Sequence, residues 1–98
     1  MNTEVFYREG TIEIWVYFEK NEVYVTPDQG VKITITDSTG TKKVDASSMT
    51  ESETGKFVYY YTLAIDAERK WWRYYWLGQD GTGVNAKYGN GYGSFEVK

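Results

Sequence analysis

Histidine and cysteine are both absent from this 98-residue chain. Without histidine, the commonest general base, the usual hydrolase triads and most zinc sites are lost together. Without cysteine there is no disulfide framework and no thiolate nucleophile, while the redox compartment stays open because many exported domains also lack disulfides. Nowhere do enough consecutive apolar residues occur to span a bilayer, and the opening Met1-Asn2-Thr3-Glu4 has no basic segment followed by an apolar one. The expectation is a soluble chain without a signal peptide or transmembrane segment; an initiating Met1 favours a complete protein, with a module of a longer one left open. Charge of one sign is lacking too. The 11 basic and 14 acidic residues leave a net charge of −3, with no global field to draw in a polyanion. Neither nucleic acid nor a membrane is expected as a partner.

Aromatic residues are what the chain has in quantity: 4 Trp, 10 Tyr and 4 Phe. A chain of this length builds one hydrophobic core and not two, so residues 1–98 are read as a single domain that buries roughly 60–65% of its extended surface. Tyr and Trp carry a polar atom that reaches the rim of a core or a partner, which suits a thin two-layer core and an interface alike.

The apolar pattern is that of strands. From Thr11 to Lys20, Ile12, Ile14, Val16 and Phe18 alternate with Glu13, Trp15, Tyr17 and Glu19, which predicts a half-buried strand. The same period of two recurs at Val31-Ile33-Ile35, Phe57-Tyr59-Tyr61-Leu63, Trp72-Tyr74-Trp76 and Phe95-Val97. Val5 and Tyr7 predict a short first strand, and Lys43-Val44 another after the turn Asp37-Ser38-Thr39-Gly40. The total is about seven strands. Between them, Asn21 to Gly30 carries the single proline, Pro27, and reads as a loop that takes the chain between sheets. Ala46 to Glu53 reads as a crossover whose Met49 plugs one end of the core, and Ile65 to Arg69 as a single helical turn. Gly78 to Gly93 holds six of the ten glycines and reads as a long flexible loop or a wide hairpin.

This order of segments resembles bacterial and viral immunoglobulin-like domains. The resemblance is carried by Gly10-Thr11-Ile12-Glu13-Ile14, Thr26-Pro27-Asp28 before Val31-Lys32-Ile33-Thr34-Ile35, Asp37-Ser38-Thr39-Gly40, and Met49-Thr50 with Thr54-Gly55-Lys56-Phe57-Val58-Tyr59-Tyr60-Tyr61. It implies an all-β, two-sheet immunoglobulin-like sandwich of about seven antiparallel strands, without the cysteine pair of antibody domains. It further implies a non-enzymatic structural or adhesive role in a prophage or virion component or a modular surface protein, placing a complete chain in a virion or the cytoplasm. No catalytic residue is carried over.

The acids are scattered over strand edges and turns (Asp28, Asp37, Asp45, Asp66, Asp80), where solvated surface roles account for them, and a thin sandwich offers little room for a concave active site. Asp80 with Asn85, and Asp28 with Asp37, have oxygens of the kind Ca²⁺ takes, but no ligand spacing supports a site and loop capping accounts for them. Neither a metal nor a cofactor is expected. The glycines at Gly81, Gly83, Gly89, Gly91 and Gly93 lack the spacing and following helix of a phosphate loop. Arg69-Lys70-Trp71-Trp72-Arg73-Tyr74-Tyr75-Trp76-Leu77 interleaves cations with aromatics as single-strand nucleic-acid platforms do, yet the alternation sends Trp72, Tyr74 and Trp76 inward and the whole-chain charge opposes a polyanion.

What remains outside forms the candidate contact surface: Trp15 and Tyr17 beside Val58 and Tyr60 on one sheet, and Trp71, Arg73, Tyr75 and Leu77 on the other. Grouped exposed aromatics mark partner sites, whereas single ones are ordinary and long Lys, Arg and Glu stems can cover them. A protein partner or a homo-oligomer is the leading expectation. A glycan, stacked on exposed aromatic faces, is the alternative.

Overall fold

The computed structural model describes residues 4–98; residues 1–3, read above for a targeting signal, lie outside the described residues. The chain is all-β. In order, the strands are β1 (Glu4–Phe6), β2 (Thr11–Tyr17), β3 (Glu19–Lys20), β4 (Val23–Tyr24), β5 (Val31–Thr36), β6 (Lys42–Ser48), β7 (Thr50–Glu53), β8 (Lys56–Thr62), β9 (Lys70–Asp80) and β10 (Lys87–Val97). A 3-10 turn, Gly83–Asn85, lies between the last two and is the only helical element among the described residues.

Five strands form one sheet in the order β1-β10-β9-β5-β6, three form a second in the order β2-β8-β7, and β3 pairs with β4 alone. Inward residues of both large sheets meet in one core, compatible with a β-sandwich. Ile12, Ile14 and Val16 of β2 and Phe57 of β8 face Val31, Ile33 and Ile35 of β5, Trp72 of β9, and Phe95 and Val97 of β10. Here the period of two acts directly: β2 reads exposed, buried, exposed from Thr11 to Tyr17 without a break. Trp72 sits at the centre, its ring 5.8 Å from Phe95 in its own sheet and 6.2 Å from Tyr61 in the other. Its indole N–H donates to the Glu68 carbonyl at 2.7 Å, so the only polar atom of the side chain is satisfied.

Several local expectations are corrected. β1 lies parallel to β10, not antiparallel; no hairpin joins the two, so no tight turn imposes the opposite direction. The crossover expected around Met49 is present, with Met49 in the core, but it is built as almost continuous strand. β6 and β7 are separated by Met49 alone, which is buried and donates its N–H to the Val31 carbonyl at 2.8 Å as the chain passes from one sheet to the other. Residues 65–69 form a turn, with Ala67 N–H bonded to the Ala64 carbonyl, and not a helix. The loop expected from Asn21 to Gly30 begins as the β3–β4 hairpin, closed by Asn21 and Glu22, both at positive φ.

Of the two alternatives for the glycine-rich stretch, the structure has the wide hairpin and not the flexible loop: β9 runs on to Asp80 and β10 begins at Lys87. Two 11-residue strands, at ~3.4 Å per residue, span nearly the full 43 Å length of the molecule. Gly78, Gly89, Gly91 and Gly93 are strand positions on the inner face, while Gly81 and Gly83 lie in the connection at positive φ. A Cβ on Gly91 would lie 2.6 Å from Trp76 Nε1, and one on Gly89 would lie 2.9 Å from the Phe18 ring. Neighbouring aromatic rings lie over the strand where side chains would stand, which is how a strand so poor in inward side chains stays packed.

Propensity and packing therefore disagree about Gly91. Valine is the better strand former, but its side chain would have to displace the Trp76 indole, and overpacking of this kind costs about 1–3 kcal/mol. Thermal unfolding of Gly91→Val is expected to show a loss of stability; a gain would mean that the ring moves aside freely.

Candidate contact surfaces

The six sequence-singled residues fall on two opposite faces. Trp15, Tyr17 and Tyr60 lie on the outer face of the three-stranded sheet, and Trp71, Arg73 and Tyr75 on that of the five-stranded sheet. No site contains all six.

On the three-stranded sheet the register sets Glu13 against Tyr60, Trp15 against Val58, and Tyr17 against Lys56. Val58, expected among the exposed residues, is only 4% exposed although its side chain points outward. It is the middle residue of the row Trp15, Val58, Thr50, and the flanking side chains cover it. The Trp15 indole N–H is tied to the Glu13 carboxylate. Tyr24, which the sequence left in a loop, joins this face: its ring is 6.1 Å from Tyr17 and 5.2 Å from the Lys56 ammonium. Lys56 also pairs with Glu53 at 3.2 Å, and the hydrogen bond and charge of Glu53 raise its pKa above the ordinary lysine value. Trp15, Tyr17 and Tyr24 thus each engage a neighbour, while Tyr60 stays 60% exposed.

The face of the five-stranded sheet carries the longer row of exposed residues. β9 presents Trp71, Arg73, Tyr75 and Leu77 at alternate positions, and β10 sets Glu96, Ser94, Tyr92 and Asn90 directly opposite them. Tyr75 is 41% and Tyr92 83% exposed, side by side across the ladder. On its other side Tyr75 pairs with Thr34 and Leu77 with Lys32. Beyond them β6 carries a bulge. Ala46 sits there at φ 49° with its N–H bonded to Thr34 Oγ1 at 3.0 Å, and this small residue leaves a shallow groove of about 280 Å³ floored by Lys32, Thr34, Tyr75 and Leu77 and closed by Gln29 and Gln79. Tyr88 and Tyr92 were missed in sequence because the glycines between them suggested a loop. The signal was present nonetheless: Tyr88, Asn90, Tyr92, Ser94 and Glu96 keep a strict period of two.

The acids fill structural roles. Asp28 and Asp80 cap each other's loops, Asp28 Oδ1 accepting from Gly81 N–H at 2.7 Å and Asp80 Oδ1 from Asp28 N–H at 3.1 Å. Asp37 is the one buried charged residue among those described. Its Oδ1 accepts the Thr39 hydroxyl at 2.6 Å and the N–H groups of Thr39 and Thr41 at 2.9 Å, while Lys43 lies 3.9 Å from Oδ2. Both oxygens are committed to holding the β5–β6 turn. The Thr39 hydroxyl bond holds the carboxyl below the ordinary aspartate range; burial opposes it, and the two N–H bonds and Lys43 add to it. The Tyr61 hydroxyl is pushed up, first by its burial and further by Tyr59 and Asp37.

A carboxyl whose pKa is depressed on folding contributes stability that is complete above the unfolded value, about 3.9 for Asp, and is lost as pH falls through the lower folded value. Asp37→Asn is therefore expected to melt below the wild type near neutral pH, with the gap closing as the pH drops below about 4. A gap that stays constant with pH would show that the Asp37 charge contributes nothing. Comparison with protein-family models, curated proteins and solved structures finds no match to this chain.

Proposed function

We propose that this chain is a non-enzymatic immunoglobulin-like module that works by contact, an assembly component of the virion or prophage kind, docking a protein through the outer face of its five-stranded sheet. The strand order supports the fold assignment. β10-β9-β5-β6 over β2-β8-β7 follows the G-F-C-C′ over B-E-D arrangement of immunoglobulin-like sandwiches, with β1 added parallel to the last strand. The observation that carries the function is the side-by-side pair Tyr75 and Tyr92, continued along β9 by Leu77 and by Trp71 with Arg73 between them. Trp, Tyr and Arg are the residues that dominate binding energy at protein interfaces, and an exposed group of them on a rigid sheet loses little entropy when covered.

The groove beside Tyr75 favours a second reading, carbohydrate binding. An aromatic face there adjoins the polar groups of Lys32, Thr34, Gln29 and Gln79, the combination that stacks on a sugar ring while bonding its hydroxyls.

Light scattering across a concentration series separates the two. For a neighbouring copy as partner, the wild type gains mass with concentration, and Tyr75→Ser with Tyr92→Ser weakens the association by at least about tenfold, as loss of interface anchors does. The melting temperature should hardly move, because surface substitutions cost within about 0.5 kcal/mol. Association unchanged by the pair would remove this face as an interface between copies. A monomer that binds on a glycan array, with binding lost in Tyr75→Ser, would establish the carbohydrate reading instead.

A further inference from the structure

The four edges of the two larger sheets are not alike. β6 and β7, the edges on one side, both depart from regular pairing, β6 at the Ala46 bulge and β7 between Glu51 and Glu53, and Met49 links them directly. Bulges are among the usual defences of a sheet edge. On the other side β1 has three residues among those described, whereas β2 has seven, pairs with β8 without a register shift, and contains neither proline nor bulge. Among the described residues nothing pairs with its free edge.

The ladder identifies which backbone groups face that edge. The Gly10 carbonyl accepts from Leu63 N–H at 2.9 Å and Phe18 N–H donates to the Gly55 carbonyl at 2.7 Å, so even-numbered residues turn toward β8. By alternation the N–H and C=O groups of Thr11, Glu13, Trp15 and Tyr17 point away from it. Alongside them lies a groove of about 530 Å³ lined by Val5, Phe6, Thr11, Glu13 and Trp15. A row of paired donors and acceptors at this spacing is satisfied by an extended polypeptide.

We propose that this strand is β2 of a second copy, laid antiparallel about a two-fold axis at Ile14, so that two three-stranded sheets join into one of six. In this register Glu13 lies opposite the partner's Trp15 and Thr11 opposite the partner's Tyr17, and about eight backbone hydrogen bonds close the interface. The sequence of the edge complements itself. Within Thr11–Tyr17 no like charges lie directly opposite, and the Glu13 carboxylate, which already accepts the indole N–H of Trp15 within one chain, lies next to a second indole across the axis. The pairing is independent of the aromatic face on the opposite sheet and can be tested in the Tyr75→Ser, Tyr92→Ser protein.

Because the chain has no cysteine, single introduced thiols report the register without background. Glu13→Cys mixed with Trp15→Cys under oxidation should yield a cross-linked dimer, their Cα atoms being ~5.5 Å apart in the proposed pair. Either variant alone should yield none, since like residues are offset along the strands. Hydrogen exchange on the unmodified chain gives the second readout. The amides of Glu13, Trp15 and Tyr17 should slow by at least about tenfold as concentration rises, while those of Ile12, Ile14 and Val16 are protected throughout. No mixed cross-link, cross-linking equally efficient with one variant alone, or odd-numbered amides that exchange fast at every concentration would each overturn the proposal.

Discussion

The packing of Trp72 between the two sheets is the contact on which the rest of this protein depends. In a domain of this size the core is small, and there is no disulfide to pin one layer to the other. The indole does that work, stacked at an angle on Phe95 within its own sheet and reaching Tyr61 in the opposite one, with its single polar atom bonded to the Glu68 carbonyl. A ring so enclosed fixes the separation of the sheets and the inward setting of β9. Once that setting is fixed, strand pleating alone sends Trp71, Arg73, Tyr75 and Leu77 to the outside. The exposed aromatic face is in this sense a by-product of the core.

The same economy explains β10. Its inward positions opposite the wide rings of β9 and Phe18 are glycine, so the space is filled from neighbouring side chains, while the outward positions carry Tyr88 and Tyr92. The hairpin can then extend through most of the molecule's length without a second layer of bulky residues beneath it. Its outer face remains an exposed aromatic ladder, whereas on the other sheet Tyr17, Tyr24 and Lys56 engage one another and Val58 is roofed by its row neighbours. Two faces that look alike in sequence therefore differ in what they leave available. The acids complete the picture, since Asp28, Asp37 and Asp80 are committed to backbone groups of turns and hold the ends of the sheets in place.

Read along the chain, the alternating residues of β2, β5, β8 and β9 determine by themselves that those segments are strands, and which side chains face in and out. The preference is local: consecutive side chains of an extended backbone must point to opposite sides whatever the strand pairs with. The lack of histidine and cysteine is equally independent of folding, and it removes the chemistries that need them. Which strand lies beside which is a non-local matter that alternation does not encode. Tertiary structure alone decided that Tyr92 stands against Tyr75, that Val58 is covered while Trp15 is not, that the glycines of β10 are strand positions beneath aromatic rings, and that no described residue pairs with the outer edge of β2. Each of these depends on a neighbour distant in sequence, and only the pairing of the strands supplies it.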